Sequence, residues 1–125
     1  MARKGSGIMS GGYLGVNDYL VSDDNSFFAI MQSDARFVIY RGSGPSSQGQ
    51  AIWSSGTARQ QGQYFAVMQL DGNFCIYEGT DRMHQGAFVW NSGPAGPVGM
   101  YVAIMQNNGH FRIYSLLGNT GFWST

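Results

Sequence analysis

The sequence predicts an all-β fold of about a dozen short strands, built from three copies of one unit. Three blocks of similar pattern support this prediction, because their glutamines are evenly spaced at Gln32, Gln69 and Gln106. One tryptophan follows each block, at Trp53, Trp90 and Trp123. Helical periodicity is not sustained anywhere, and the 19 glycines and 14% aromatic residues suit short strands joined by tight turns. Such self-similarity indicates a repeat architecture.

The length of 125 residues and the 43% hydrophobic content allow one domain with a single core. We therefore expect one domain over residues 1–125, with motifs at 32–40, 69–77 and 106–114. Residues 1–12 are expected to form a flexible N-terminal extension.

Each repeat is predicted to contain a β-hairpin, in which an apolar run leads through a turn into a second strand. Asp71-Gly72 and Asn108-Gly109 supply turn chemistry that tolerates a positive φ. Alternation along the second strand of repeat two then places Phe74 and Ile76 on the core face. Their counterparts are Phe37, Ile39, Phe111 and Ile113. The three tryptophans are predicted to meet near a pseudo-threefold axis.

The opposite face of repeat two carries a polar set at two-residue steps. It consists of Gln69, Asp71, Asn73 and Tyr77, with Cys75 between the last two. The carboxylate only accepts hydrogen bonds, both amides donate and accept, and the phenol adds a hydroxyl. Such a combination suits a neutral, hydroxyl-rich ligand.

The spacing Gln-x-Asp-x-Asn-x-Val-x-Tyr resembles that of the bulb-type, monocot mannose-binding lectins, and the resemblance covers about residues 13–125. It implies a β-prism II fold, with three four-stranded antiparallel sheets around a pseudo-threefold axis. It also implies metal-independent mannose binding, with Asp71 and Asn73 on the 2-hydroxyl, Gln69 on the 3-hydroxyl and Tyr77 on the 4-hydroxyl. Cys75 stands where the family pattern has valine. Family members commonly pair by exchanging C-terminal strands, so a homodimer is implied.

Repeat one departs from the pattern at one position. It keeps its polar and apolar residues at Gln32, Asp34, Val38 and Tyr40, but Arg36 replaces the asparagine. A guanidinium donates hydrogen bonds without accepting them, and its stem is long enough to fill a pocket. The resemblance therefore does not carry mannose binding over to repeat one.

Repeat three departs from the pattern at three positions. It keeps Gln106 and Tyr114, but it has Asn108, His110 and Arg112 in place of aspartate, asparagine and valine. The anionic acceptor and the apolar floor are lost together, so we predict that this repeat no longer binds mannose. Arg36, His110 and Arg112 either bind an acidic sugar or phosphate or are solvated strand-face charges.

Together these features predict a non-catalytic mannose-binding lectin with one intact site, in repeat two. The alternative is a β-prism module that binds protein and has degenerate sugar sites. An enzyme is disfavoured, because glycoside hydrolysis uses two carboxylates and each motif has at most one. We therefore expect no catalytic residue and no cofactor. We also expect no metal site, since His84 and His110 lack partners at ligand spacing.

The charge balance narrows the choice of partner. Seven basic and seven acidic residues cancel, which argues against a nucleic-acid partner, and no apolar stretch is long enough to predict membrane insertion. Mannose, mannosides and mannose-rich glycoproteins are the expected partners. We expect a cytoplasmic or non-classically secreted protein, since no signal-peptide pattern is present; a removed leader would make it extracellular.

Cys75 has two readings in the sequence. It is either a small hydrophobe in the place of valine or a site thiol whose oxidation weakens sugar binding.

Overall fold

The computed structural model describes residues 2–93, 95–117 and 120–125. These residues form strands β1 (Gly7–Met9), β2 (Tyr13–Leu14), β3 (Tyr19–Val21), β4 (Phe27–Met31), β5 (Phe37–Arg41), β6 (Ala51–Ser54), β7 (Tyr64–Met68), β8 (Phe74–Glu78), β9 (Phe88–Asn91), β10 (Tyr101–Met105), β11 (Phe111–Ser115) and β12 (Thr120–Ser124). Two single-turn 3₁₀ helices, Pro45–Ser47 and Arg82–His84, lie between strands. Within the described residues, no helix is long and apolar enough to cross a membrane.

The strands form three four-stranded antiparallel sheets, which confirms the predicted architecture. Sheet one has the order β3-β4-β5-β6, sheet two has β2-β7-β8-β9, and sheet three has β1-β10-β11-β12. Each repeat supplies three consecutive strands, and the fourth strand of every sheet comes from residues 7–21. The N-terminal segment therefore contributes to all three sheets in turn.

The prediction of a flexible extension over residues 1–12 is wrong for the part that the structure describes. Gly7–Met9 pairs with β10, where Gly7 lies opposite Ile104. Ahead of it, the N–H of Val21 donates to the carbonyl of Gly5 at 2.8 Å. These contacts give hydrogen-bond partners to backbone groups that are otherwise exposed at two sheet edges. Local residue patterns do not show which sheet edges lack such partners. Met1 lies outside the described residues.

Aromatic side chains from the three repeats meet on the central axis. The rings of Phe37, Phe74 and Phe111 are 5.0–5.2 Å apart between centroids. A second trio, Trp53, Trp90 and Trp123, is 5.8–6.0 Å apart and packs edge to face. The predicted meeting of the tryptophans is confirmed. Ile39, Ile76 and Ile113 are fully buried in the same core, as alternation predicted.

The C-terminal strand β12 pairs with β11 of the same chain, with Arg112 opposite Ser124 and Ile113 opposite Trp123. Sheet three is thus complete without a second copy of the chain. The homodimer by strand exchange stays a prediction.

Candidate functional site

The repeat-two motif lies at the hairpin between β7 and β8. The N–H of Gly72 donates to the carbonyl of Gln69 at 3.1 Å, and the N–H of Gln69 donates to the carbonyl of Asn73 at 3.1 Å. Gly72 has a φ of 81° and packs so tightly that an added Cβ would lie 2.7 Å from the Tyr101 ring. Both the backbone angle and the space at this turn therefore require glycine.

The segment that follows β9 holds the same turn from outside. The N–H of Gly96 donates to the carbonyl of Asp71 at 2.7 Å, and the N–H of Gly99 donates to the carbonyl of Leu70 at 2.8 Å. The turn is therefore held by backbone hydrogen bonds on two sides, and the side chain of Asp71 starts from a fixed position.

Asp71 and Asn73 each have one side-chain oxygen that accepts a backbone N–H of the protein. Asp71 Oδ1 accepts the N–H of Asn73 at 3.0 Å, and Asn73 Oδ1 accepts the N–H of Gly93 at 3.0 Å. The Ser92 hydroxyl lies 3.5 Å from the same Asn73 oxygen. Among the described residues, Asp71 Oδ2 and the Asn73 amide nitrogen have no hydrogen-bond partner. The pair therefore offers an outside ligand one anionic acceptor and one donor.

Gln69 and Tyr77 form a second pair. The Gln69 amide donates through Nε2 to the Tyr77 hydroxyl at 2.9 Å. Its oxygen and the phenolic proton of Tyr77 then remain for a ligand. All four polar residues are half-buried. The structure thus brings the four predicted residues of repeat two together. Gln69 and Asp71 each leave an acceptor for a ligand, and Asn73 and Tyr77 each leave a donor.

Cys75 lies on the predicted outer face, but it is buried there, with 2% of its surface exposed. It packs with Phe65, Val67 and Tyr77. Burial raises the pKa of the Cys75 thiol to about 11, and the nearby Asp71 carboxylate acts in the same direction. Burial likewise raises the pKa of the Tyr77 hydroxyl, with a further contribution from Cys75. This environment favours the small hydrophobe over the reactive thiol.

Alkylation of Cys75 in the folded protein is expected to be slow. At pH 8 a thiol with a pKa of about 11 is roughly one thousandth thiolate, against about a quarter for a free cysteine, and only the thiolate reacts. We expect iodoacetamide to react at least about 100-fold more slowly than in the urea-unfolded chain. The rate should rise with pH towards pH 11. Mass spectrometry of timed samples measures both rates, and equal rates would contradict this account.

In repeat one the acceptor is already occupied. Arg36 Nε donates to Asp34 Oδ2 at 2.9 Å, and a terminal guanidinium nitrogen lies 2.9 Å from the same oxygen. The backbone N–H of Arg36 donates to Asp34 Oδ1 at 3.1 Å. Gln32 still donates to the Tyr40 hydroxyl, at 2.6 Å, and Val38 is buried. The motif is therefore assembled, but its carboxylate is neutralised by its own chain.

In repeat three, different residues occupy several positions of the motif. Gln106 donates to the Tyr114 hydroxyl, as in the other repeats, and Asn108 Oδ1 accepts the N–H of His110 at 3.0 Å. The His110 ring contacts the carbonyl of Thr125 at 2.9 Å. The Arg112 guanidinium lies over the Tyr114 ring, 5.1 Å from its centroid. A surface depression of about 370 Å³ adjoins this motif, and the carboxylate that lines it belongs to Asp23, outside the motif.

The sequence did not predict the hydroxyl groups that hold the backbone of these motifs. Ser55, Ser92 and Thr125 each accept the backbone N–H of the first residue of the strand that carries the site, at 3.0 Å. Each hydroxyl lies two residues after the tryptophan of its repeat. That recurrence was the available signal. The structure adds Ser92 and Gly93 to the repeat-two site, because both contact Asn73.

No group of three or more His, Cys, Asp or Glu side chains that could hold a metal ion occurs within residues 2–93, 95–117 and 120–125. His84 contacts Asp81 at 2.9 Å on the surface, and His110 lies in repeat three. The two histidines thus lie in connections of different sheets, His84 between β8 and β9 and His110 between β10 and β11.

The chain has the fold of the β-prism II lectins, and the resemblance to the bulb-type lectins that the sequence indicated is confirmed. A monomeric monocot mannose-binding lectin from Gastrodia elata is 28% identical with a TM-score of 0.78, over 95% of this chain and 94% of its own. The mannose-specific agglutinin from snowdrop (Galanthus nivalis) bulbs, complexed with methyl-α-D-mannoside, is 29% identical with a TM-score of 0.70, over 88% of this chain and 89% of its own.

A lectin from Marasmius oreades shares the fold at 24% identity and a TM-score of 0.74, over 99% of this chain and 93% of its own. No protein-family model and no curated protein sequence matches the chain.

Proposed function

We propose that this protein is a non-catalytic, metal-independent lectin that binds mannose or mannose-containing glycans through repeat two. The observation that carries the proposal is the arrangement of Gln69, Asp71, Asn73 and Tyr77, which leaves two acceptors and two donors on one half-buried surface. Adjacent hydroxyls of a sugar both donate and accept, so they match such a set. The similarity to the snowdrop agglutinin, whose structure contains a mannoside, supports mannose as the ligand.

One competent site per chain follows from the differences between the repeats. Asp34 is paired with Arg36, so a sugar hydroxyl would have to displace a charged partner. Asn108 carries no charge, and Arg112 covers the face of Tyr114 where the family has an apolar floor. Of the three equivalent positions Asp34, Asp71 and Asn108, Asp71 alone combines a negative charge with an oxygen that has no partner among the described residues.

Titration calorimetry with methyl α-mannoside tests this proposal. We expect one binding event per chain and no change in affinity when a chelator is added, because the acceptors and donors are protein groups. Two or three equivalent events per chain would contradict the assignment to repeat two. A glycan array that stays blank with folded protein would refute the lectin itself.

A protein-interaction module is the second candidate. It is favoured by an exposed apolar patch in repeat three, formed by Val98, Met100, Leu116 and Leu117. Pull-down in the presence and absence of saturating methyl α-mannoside separates the two functions. Release of every partner by the sugar supports the lectin, and partners that stay bound support the module.

A further inference from the structure

Four aromatic rings form a row across the outer face of sheet two. Tyr13 packs edge to face on Phe65 at 5.9 Å, Phe65 stacks on Tyr77 at 5.9 Å, and Tyr77 meets Phe88 edge to face at 6.0 Å. The row crosses all four strands of the sheet. Phe65 is fully buried, whereas Phe88 at the end beside the polar site is 50% exposed.

Phe88 reaches this face through an irregularity in the strand pairing. Simple alternation along β9 would place it on the same side as Trp90, which packs into the core. A β-bulge interrupts the pairing between Ile76 and Tyr77, so that Ile76 lies opposite Trp90 and Tyr77 lies opposite Phe88. The half-exposed ring is therefore directed outward, next to the phenol of the site.

The same bulge occurs in all three repeats, but the residue beside the tyrosine differs. Tyr40 lies opposite Ala51, and Tyr114 lies opposite Gly121. Among the three positions, repeat two alone has an aromatic side chain. It is also the repeat that keeps the four polar residues of the motif.

An exposed aromatic face suits a particular part of a sugar. The hydroxyls of a pyranose leave patches of C–H groups, and these carry a small positive charge that is attracted to the negative face of an aromatic ring. A ring beside a polar site adds apolar contact area without needing a hydrogen-bond partner of its own. Tyr77 belongs to the polar set, and Phe88 lies one ring further along the same face.

We propose that Phe88 forms a second subsite, which stacks against the saccharide residue next to the one held by the polar set. The ligand of repeat two is then an oligosaccharide with at least two linked mannose residues, and Phe88 determines the preference for it over single mannose. This inference rests on the proposed mannose-binding function.

Calorimetry with methyl α-mannoside and with α1,2-, α1,3- and α1,6-linked mannobiosides tests the subsite. An aromatic contact contributes on the order of 1 kcal/mol, so we expect at least one mannobioside to bind about five-fold more tightly than methyl α-mannoside. Phe88→Ala should lower the affinity for that mannobioside about five-fold more than the affinity for methyl α-mannoside. Phe88→Tyr, which keeps an aromatic face, should retain the preference.

Met83→Ala is the matched control, since Met83 is 88% exposed on the connection between β8 and β9. It should leave both affinities unchanged, and circular dichroism checks the fold of every variant. If Phe88→Ala lowers all affinities equally or leaves the preference intact, the subsite is refuted while the lectin function stands. If the unaltered protein binds no mannoside, the proposed function fails first. Phenyl α-mannoside binding as tightly as the best mannobioside would overturn the assignment to a second sugar.

Discussion

Replacing Asp71 with asparagine is expected to weaken methyl α-mannoside binding by about 3- to 10-fold while the protein stays folded. The variant exchanges the anionic Oδ2 acceptor for a neutral amide. A hydrogen bond to a charged group contributes about 1.5–3 kcal/mol, roughly twice the neutral value, and this difference sets the size of the loss. Calorimetry measures the affinity directly.

The structure indicates that asparagine preserves this turn. Asn108 occupies the equivalent position in repeat three, and its Oδ1 accepts the N–H of His110 at 3.0 Å, just as Asp71 Oδ1 accepts the N–H of Asn73 at 3.0 Å. Loss of binding can therefore be separated from loss of structure. Unchanged circular dichroism in the variant is the check.

Asp34→Asn is the matched control, because it makes the same chemical change in repeat one. Asp34 is already ion-paired with Arg36, so its removal should leave the mannoside affinity unchanged. Equal losses in the two variants would show that repeat one also binds, and a loss only in Asp34→Asn would reverse the assignment of the site.

Replacing Phe74 with alanine is expected to lower the free energy of unfolding by about 3–5 kcal/mol. Phe74 is fully buried and contacts Phe37 and Phe111 at 5.1 and 5.2 Å between ring centroids. The variant leaves a cavity on the axis where all three sheets meet. Since the free energy of unfolding of such a domain is roughly 5–15 kcal/mol, this loss is a large part of the total.

Urea unfolding followed by tryptophan fluorescence measures this loss. Phe74→Leu retains most of the volume and should cost less, about 1 kcal/mol. Phe88→Ala removes the same ring from a half-exposed position, so its cost should stay well below that of Phe74→Ala. Equal costs for the two alanine variants would contradict the assignment of Phe74 to the central core.

The unfolding free-energy changes of Phe37→Ala and Phe74→Ala should be non-additive when the two are combined, because the two rings touch.

Much of the fold could be predicted because repetition and alternation are local properties of the chain. The even spacing of Gln32, Gln69 and Gln106 indicated three equivalent hairpins, and the alternation around Phe74 and Ile76 separated the core face from the outer face. The N-terminal strands could not be predicted in this way. Gly7–Met9 is too short to show a pattern, and it becomes a strand only because the edge of β10 offers unpaired backbone groups.

The candidate site was predicted to a similar extent. Residue identities alone showed that repeat two keeps glutamine, aspartate, asparagine and tyrosine. They did not show that Arg36 folds back onto Asp34, that Cys75 is covered, or that Ser92 and Gly93 fix the Asn73 amide. These facts depend on side-chain directions and on contacts between segments that lie far apart in the chain.

The sequence by itself thus determined the threefold repeat, the faces of its strands and the one repeat with a complete polar set. Only the tertiary structure decided which of those polar atoms are left for a ligand, and that Phe88 lies beside Tyr77. The physical reason is the β-bulge between Ile76 and Tyr77, which shifts the pairing of β8 and β9 by one residue. Alternation sends Phe88 towards the core, but the shifted pairing turns it to the outer face.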